Sequence, residues 1–200
     1  MGTSETKEKK LTTKKKSPLI VILLSFPLFV HIQLLINTTQ LTMSVIKYIQ
    51  GDLFTHSIPS SKKIILAHAC NTQGSWGGGI AAIFRKKFPQ ANKEYSQYCH
   101  ENNNLLGKSL LIESDNPSIL IACLFTSDFN QSAAQIVHHT EQAINDLDKI
   151  LKSYEDLETI DGKIVINMPK INAGIFGVPW ENTEAVIKKI HDLYFNVYVI

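Results

Sequence analysis

The sequence predicts an α/β fold, a three-layer α/β/α sandwich built on a mixed, mostly parallel central sheet. Three observations point there. Short apolar, β-branched runs alternate along the chain with segments whose apolar residues recur at helical spacing. The run over 64–69 is short and apolar, as in a strand buried on both faces. Two glycine-laden stretches directly follow such runs, where open α/β sheets bind their ligands.

The elements follow in order. Residues 45–49 alternate and stop at Gly51, which reads as a first strand, and 64–69 as a central one. Ile80, Ile83, Phe84 and Phe88 keep helical spacing until Pro89, and 91–101 make a second helical piece. Residues 109–112 and 119–125 read as two strands joined by the turn-rich "ESDNPS". Ser132 with Gln135 forms a capping-box pattern before a helix whose stripe runs Ile136, Ala143, Ile144, Leu147, Ile150, Leu151. A strand over 164–168, the loop "PKINAGIFGVPW", a helix carrying Val186, Ile187 and Ile190, and a strand over 195–199 complete the chain. No internal repeat is visible.

Composition bounds the function classes. At 200 residues, with 44% hydrophobic and 19% charged residues, the chain fits one domain plus an extra segment, 43–200 and 1–42. The net charge of +2 owes much to Lys7, Lys9, Lys10, Lys14, Lys15 and Lys16, so the domain itself carries no nucleic-acid footprint. Cys70, Cys99 and Cys123 match neither a disulfide framework nor a zinc spacing, and read as reduced thiols of a cytosolic or nuclear protein. Two readings of 1–42 stay open. The apolar residues 18–36, interrupted by Pro27, His31 and Gln33, follow the lysines as in a signal anchor; alternatively, translation starts at Met43 and the upstream stretch is a misassigned start. A membrane partner is expected only if the first holds.

The two glycine loops, 71–79 and 170–178, carry the functional signal. Glycine lets main-chain N–H groups turn inward around an anion, and a helix opening near Gly79 adds its positive end. The nucleotide triphosphatase loop pattern is missing. Gly77, Gly79 and Ala82 fit a dinucleotide fingerprint by letter, but "NTQGSW" separates them from the strand, and Glu94 lies in a helical stretch. Trp76 stands where a cysteine phosphatase loop needs arginine. His68 is open to two readings, a core histidine or an acid–base group. Trp76 and Trp180 read as lids or as core; His138, His139 and Arg85, Lys86, Lys87 as solvated helix faces; Cys99 and Cys123 as core thiols.

"YIQGDLF", "HACNTQGSWGGGIA" and "MPKINAGIFGVPWE", in this order, resemble the macrodomain family over 43–200, and most nearly its yeast branch of ADP-ribose 1″-phosphate phosphatases. The sequence shows no clustered metal-ligand pattern, so no metal or cofactor is expected. The resemblance implies an ADP-ribose cleft across the top of the sheet. It implies that Asp52, beside Gly51 and Leu53, accepts from the adenine amino group, and that Ala69, Cys70 and Asn71 meet the distal ribose. Trp76, Gly77, Gly78, Gly79, Ile80 and Ala81 would wrap the terminal sugar and its substituent. Asn172, Ala173, Gly174, Ile175, Phe176 and Gly177 would offer N–H groups to the diphosphate, and Tyr198 would line the adenine pocket. His68 and Asn71 are the catalytic candidates.

The sequence also resembles the branch that removes ADP-ribose from glutamate through a lysine nucleophile, but Thr126 and Ser127 stand at the lysine's place and Phe176 at that of the loop acid. The expectation is therefore a monomer that hydrolyses ADP-ribose 1″-phosphate, a small-molecule by-product of tRNA splicing. The alternatives are a non-catalytic ADP-ribose reader and a hydrolase of ADP-ribosyl esters on proteins.

Overall fold

The structure, a computed structural model, describes residues 45–200; both readings of 1–42 fall outside the described residues. The order is β1 (Val45–Gln50), a 3₁₀ turn (Leu53–Thr55), β2 (Ile64–Cys70), α1 (Gly79–Lys87), α2 (Pro89–Glu101), β3 (Ser109–Glu113), β4 (Ile119–Phe125), α3 (Ala133–Leu151), β5 (Thr159–Ile160), β6 (Lys163–Pro169), α4 (Trp180–Ile187) and β7 (Leu193–Val199). The expected sandwich is present. Among the described residues, no helix is long and apolar enough to cross a membrane.

Local chemistry sets the boundaries. Phe88 closes α1, and Pro89 opens α2 because its ring lacks an N–H and holds a helical φ at the first position. Ser132 and Gln135 form both bonds of the expected capping box at the start of α3. Two differences from the sequence reading appear. Asp161 and Gly162, both at positive φ, make a tight turn that folds β5 back onto β6, a hairpin hidden because its first strand is two residues long. α4 ends at Ile187, and Ile190 reaches the core from the turn beyond it.

The sheet order is β1-β7-β6-β2-β4-β3, with β5 on β6. The β1–β7, β7–β6, β6–β2 and β2–β4 pairs are parallel, while β3–β4 and β5–β6 are antiparallel. Alternation along β2 and β4 divides the core in two. Ile65, Ala67, Leu120, Ala122 and Leu124 pack against Ala143, Ile144, Leu147 and Leu151 of α3 and Ile187 of α4. Ile64, Leu66, Cys70, Ile121, Cys123 and Phe125 face Phe84 of α1 and Ala91 and Tyr95 of α2. The helix after β2 therefore lies on one face and the helix after β6 on the other, which opens a crevice between two neighbouring strands at their carboxyl ends.

Leu147 is fully buried in the α3 layer, remote from that crevice. Leu147→Ala is expected to lower unfolding free energy in urea by about 2–5 kcal/mol through the cavity it leaves.

Candidate active-site cleft

The crevice holds a cavity of about 460 Å³, within the usual range for small-molecule sites. Its walls are 69–71, Gln73 and 75–81 from the end of β2 into α1, 169–172 and 174–176 from the end of β6, and Phe129 from the β4–α3 loop. The two glycine loops thus face each other. Ile175 reaches so far across that a Cβ built on Gly78 would sit 2.8 Å from its Cδ1, and one on Gly79 3.4 Å away.

Each loop is held from behind by one asparagine. Asn71 is buried, and its Oδ1 accepts from the N–H of Gln73 (2.9 Å), the N–H of Ser75 (3.3 Å) and the Tyr95 hydroxyl (3.0 Å). Its Nδ2 donates to the Ser75 carbonyl, and the Tyr95 hydroxyl also donates to the Asn71 carbonyl. Asn172 sits at φ 65°, in the left-handed region that asparagine tolerates. Its Oδ1 accepts from Thr126 Oγ1 at 2.9 Å, and its Nδ2 donates to Thr140 Oγ1 at 2.8 Å and to Thr183 Oγ1 at 3.3 Å. One side chain thereby ties the second loop to the end of β4, to α3 and to α4.

Fixed in this way, the loops present unspent amides. Gly78 caps α1 with no side-chain hydrogen bond, so the first N–H groups of that helix have no protein acceptor of this kind and its positive end faces the cleft. Gly79, the first helical residue, takes φ 55°, which an L side chain adopts only at a cost of about 1–2 kcal/mol. Across the cleft, Ala173 donates to Lys170 O and Gly177 to Gly174 O, whereas Gly174, Ile175 and Phe176 spend no N–H on a turn bond. Lys170 is the charged side chain in the lining, and no carboxylate joins it there. Such a lining attracts an anion. At the mouth, exposed Phe129 meets Phe176 edge to face at 5.5 Å.

The Macro domain profile matches residues 67–187. The chain belongs to the macrodomain family. This macrodomain is 69% identical over 156 residues to the ADP-ribose 1″-phosphate phosphatase of Candida albicans, a match covering 78% of this chain and 100% of the relative. It is 37% identical over 178 residues to the enzyme of that name from Saccharomyces cerevisiae, covering 78% and 99%. Among solved structures it superposes on a macrodomain protein of Streptomyces coelicolor with a TM-score of 0.59 at 20% identity, covering 78% of this chain and 99% of that one. The macrodomain of Mycobacterium tuberculosis DarG fits with a TM-score of 0.59 at 19% identity, with the same coverage. The resemblance read from the three motifs is thereby borne out, as is the fold it implied.

Several of the expected site residues are outside the lining of this cavity. His68 does not line the cleft: it is fully buried, its ring stacked on Phe84 at 4.1 Å and edge-on to Trp76 at 4.9 Å, so it cannot hand a proton directly to a ligand. Strand alternation turns it beneath the loop, while its neighbour Ala69 reaches the cleft. Ala173 and Gly177 are outside the lining, with their N–H groups spent on turns. Gly51, Asp52 and Leu53 stand apart from this cavity; Asp52 Oδ1 accepts from Phe54 N–H and caps the 3₁₀ turn. Tyr198 is also outside that lining; its hydroxyl pairs with His56 Nδ1 at 2.5 Å, and His56 Nε2 pairs with Glu158 at 3.0 Å. Burial and the Glu158 charge raise the Tyr198 hydroxyl above its ordinary pKa. Ala69, Cys70, Asn71, 76–81, Asn172 and 174–176 do converge. Phe129 was missed because nothing in its loop's sequence marks where the loop folds.

Beneath the cleft floor lies a second arrangement that residue spacing concealed. His68 and Cys70 share a face of β2, and register sets Cys123 of β4 beside His68, so all three are buried together. Burial opposes ionisation of Cys70, but the Cys123 thiol, the His68 ring and the Trp76 indole outweigh it and hold its pKa below the ordinary thiol value. Burial, with Cys70 adjacent, pushes the Cys123 thiol well up.

Asn172→Ala would remove the side-chain partner of the buried Thr126 and Thr183 hydroxyls and leave Thr140 its bond to the Ile136 carbonyl. It is expected to cost about 2–3 kcal/mol in urea unfolding and to loosen 170–178, read as faster amide exchange confined to that loop.

Proposed function

We propose that this macrodomain hydrolyses ADP-ribose 1″-phosphate to ADP-ribose and phosphate, and so clears a by-product of tRNA splicing. The observation that carries this reading is the pair of facing loops that offer unspent main-chain amides to one cleft, with Lys170 as its charged lining residue. A substrate with a diphosphate and a terminal phosphate needs two anion-holding walls about a sugar apart. Kinship with the named phosphatases supports the same substrate. The free thiols Cys70, Cys99 and Cys123 are in keeping with a cytosolic or nuclear location.

The chemistry follows from the side chains at hand. With His68 turned away, no imidazole or carboxylate among the described residues lines the cleft to draw a proton from water. What the cleft supplies is charge stabilisation: the amides of 79–81 and 174–176 and the Lys170 ammonium face negative charge as it builds on a departing phosphate. Each well-placed donor of this kind contributes about 3–4 kcal/mol. Departure of phosphate from the anomeric carbon uses that help most directly, since the ribose ring oxygen shares the positive charge left behind.

The full chain is expected to release inorganic phosphate from ADP-ribose 1″-phosphate; binding of ADP-ribose without release would mark a reader instead. In heavy-oxygen water the phosphate is expected to leave unlabelled, whereas labelled phosphate would mean attack at phosphorus. Gly78→Val, whose side chain would collide with Ile175, is expected to lower turnover by about 10²-fold or more while leaving the urea midpoint nearly unchanged.

A further inference from the structure

The buried cluster under the cleft floor has the donor set and the spacing of a metal site. The geometry points to a single Zn²⁺ held by His68, Cys70 and Cys123, with its fourth position turned toward the cleft.

The ligand atoms lie within 4.8 Å of one another. Cys70 Sγ is 3.5 Å from His68 Nε2 and 3.6 Å from Nδ1. A tetrahedral zinc with ordinary bond lengths sets a thiolate sulfur and an imidazole nitrogen about 3.6 Å apart and two sulfurs about 3.8 Å apart. The Cys70–His68 pair has that separation, but the sulfur is nearly equidistant from both ring nitrogens and so lies off either lone pair; ligation turns the His68 ring to aim one nitrogen at the metal. Cys123 need close by no more than about 1 Å, a rotamer adjustment. Two thiolates and an imidazole are soft and borderline donors with no carboxylate among them, which disfavours calcium or magnesium. Zinc's two charges cancel those of the two thiolates, so the occupied site is neutral, as a site between Phe84, Tyr95 and Phe125 must be. Binding displaces the protons that the thiols carry, with no change of oxidation state.

A second observation concerns Trp76. Its indole N–H is buried without a formed hydrogen bond and faces Cys70 Sγ. A metal-bound thiolate is the acceptor that such a donor completes, as outer-shell groups commonly do. Cys70 and Trp76 also line the cleft, which gives the ion its way in and leaves its open position facing that side.

The test is anaerobic titration of the full reduced chain with Co²⁺, displaced afterwards by Zn²⁺. Expected are one ion per chain, a near-ultraviolet thiolate-to-cobalt charge-transfer band and intense visible bands of tetrahedral cobalt. The chain has three cysteines, so the band can be assigned by variants. Cys70→Ser and Cys123→Ser are expected to weaken binding by more than the ~10–100-fold that an outer-shell change costs, and Cys99→Ser to leave it intact. A wild-type titration without the charge-transfer band overturns the assignment whether or not the variants fold. So does a band that survives Cys123→Ser or is lost in Cys99→Ser. A weak visible spectrum without charge transfer, as the surface pair His138 and His139 would give, counts against it as well. None of these readouts depends on phosphatase turnover.

Discussion

A cleft that holds anions with main-chain N–H groups needs those groups left unpaired by the protein and yet fixed in direction. Unpaired amides on a free loop would turn to water or to one another. Here the conflict is resolved by two buried asparagines whose side-chain amides anchor the loops. Asn71 takes the polar groups of 73–75 and Tyr95 onto its own amide. Asn172 spends its amide on Thr126, Thr140 and Thr183. Neither side chain has to touch a ligand for the cleft to depend on it.

That arrangement rests in turn on the topology. β2 and β6 are parallel neighbours whose following helices leave to opposite faces, so their loops part and leave a gap that neither fills. The helix that follows β2 adds the positive end of α1 to the gap, and Gly78 and Gly79 let Ile175 approach from the far wall. The division of the core along β2 has a further effect: at its cleft-side end His68 is buried beneath the loop, while Ala69 and Cys70 reach the cleft and Cys70 also packs toward α1 and α2.

Much of this was legible from residue patterns. The β-branched runs, the Ser132–Gln135 cap, Pro89 between two helical stretches and the two glycine loops each act within a few residues, and each element appears where its pattern lay. The convergence of 76–81 with 174–176 was legible too, because motifs at strand ends of an α/β sheet meet at one edge. The β5–β6 hairpin was hidden because two strand residues are too few to show alternation. The choice between the two readings of His68 stayed open because one residue's difference in register decides whether a strand side chain enters a cleft or a core.

From the sequence alone came the order of strands and helices, the glycines that allow close approach, and the family motifs, since all are set by neighbours along the chain. Tertiary structure decided which asparagine faces went to the loops, which amides stayed free, and that His68, Cys70 and Cys123 meet. Those outcomes depend on the pairing of β2 with β4 and on side chains far apart in sequence, such as Asn71 with Tyr95 and His68 with Cys123. No local pattern encodes such a meeting, because it is the sheet register that brings the partners to the same height and the same face.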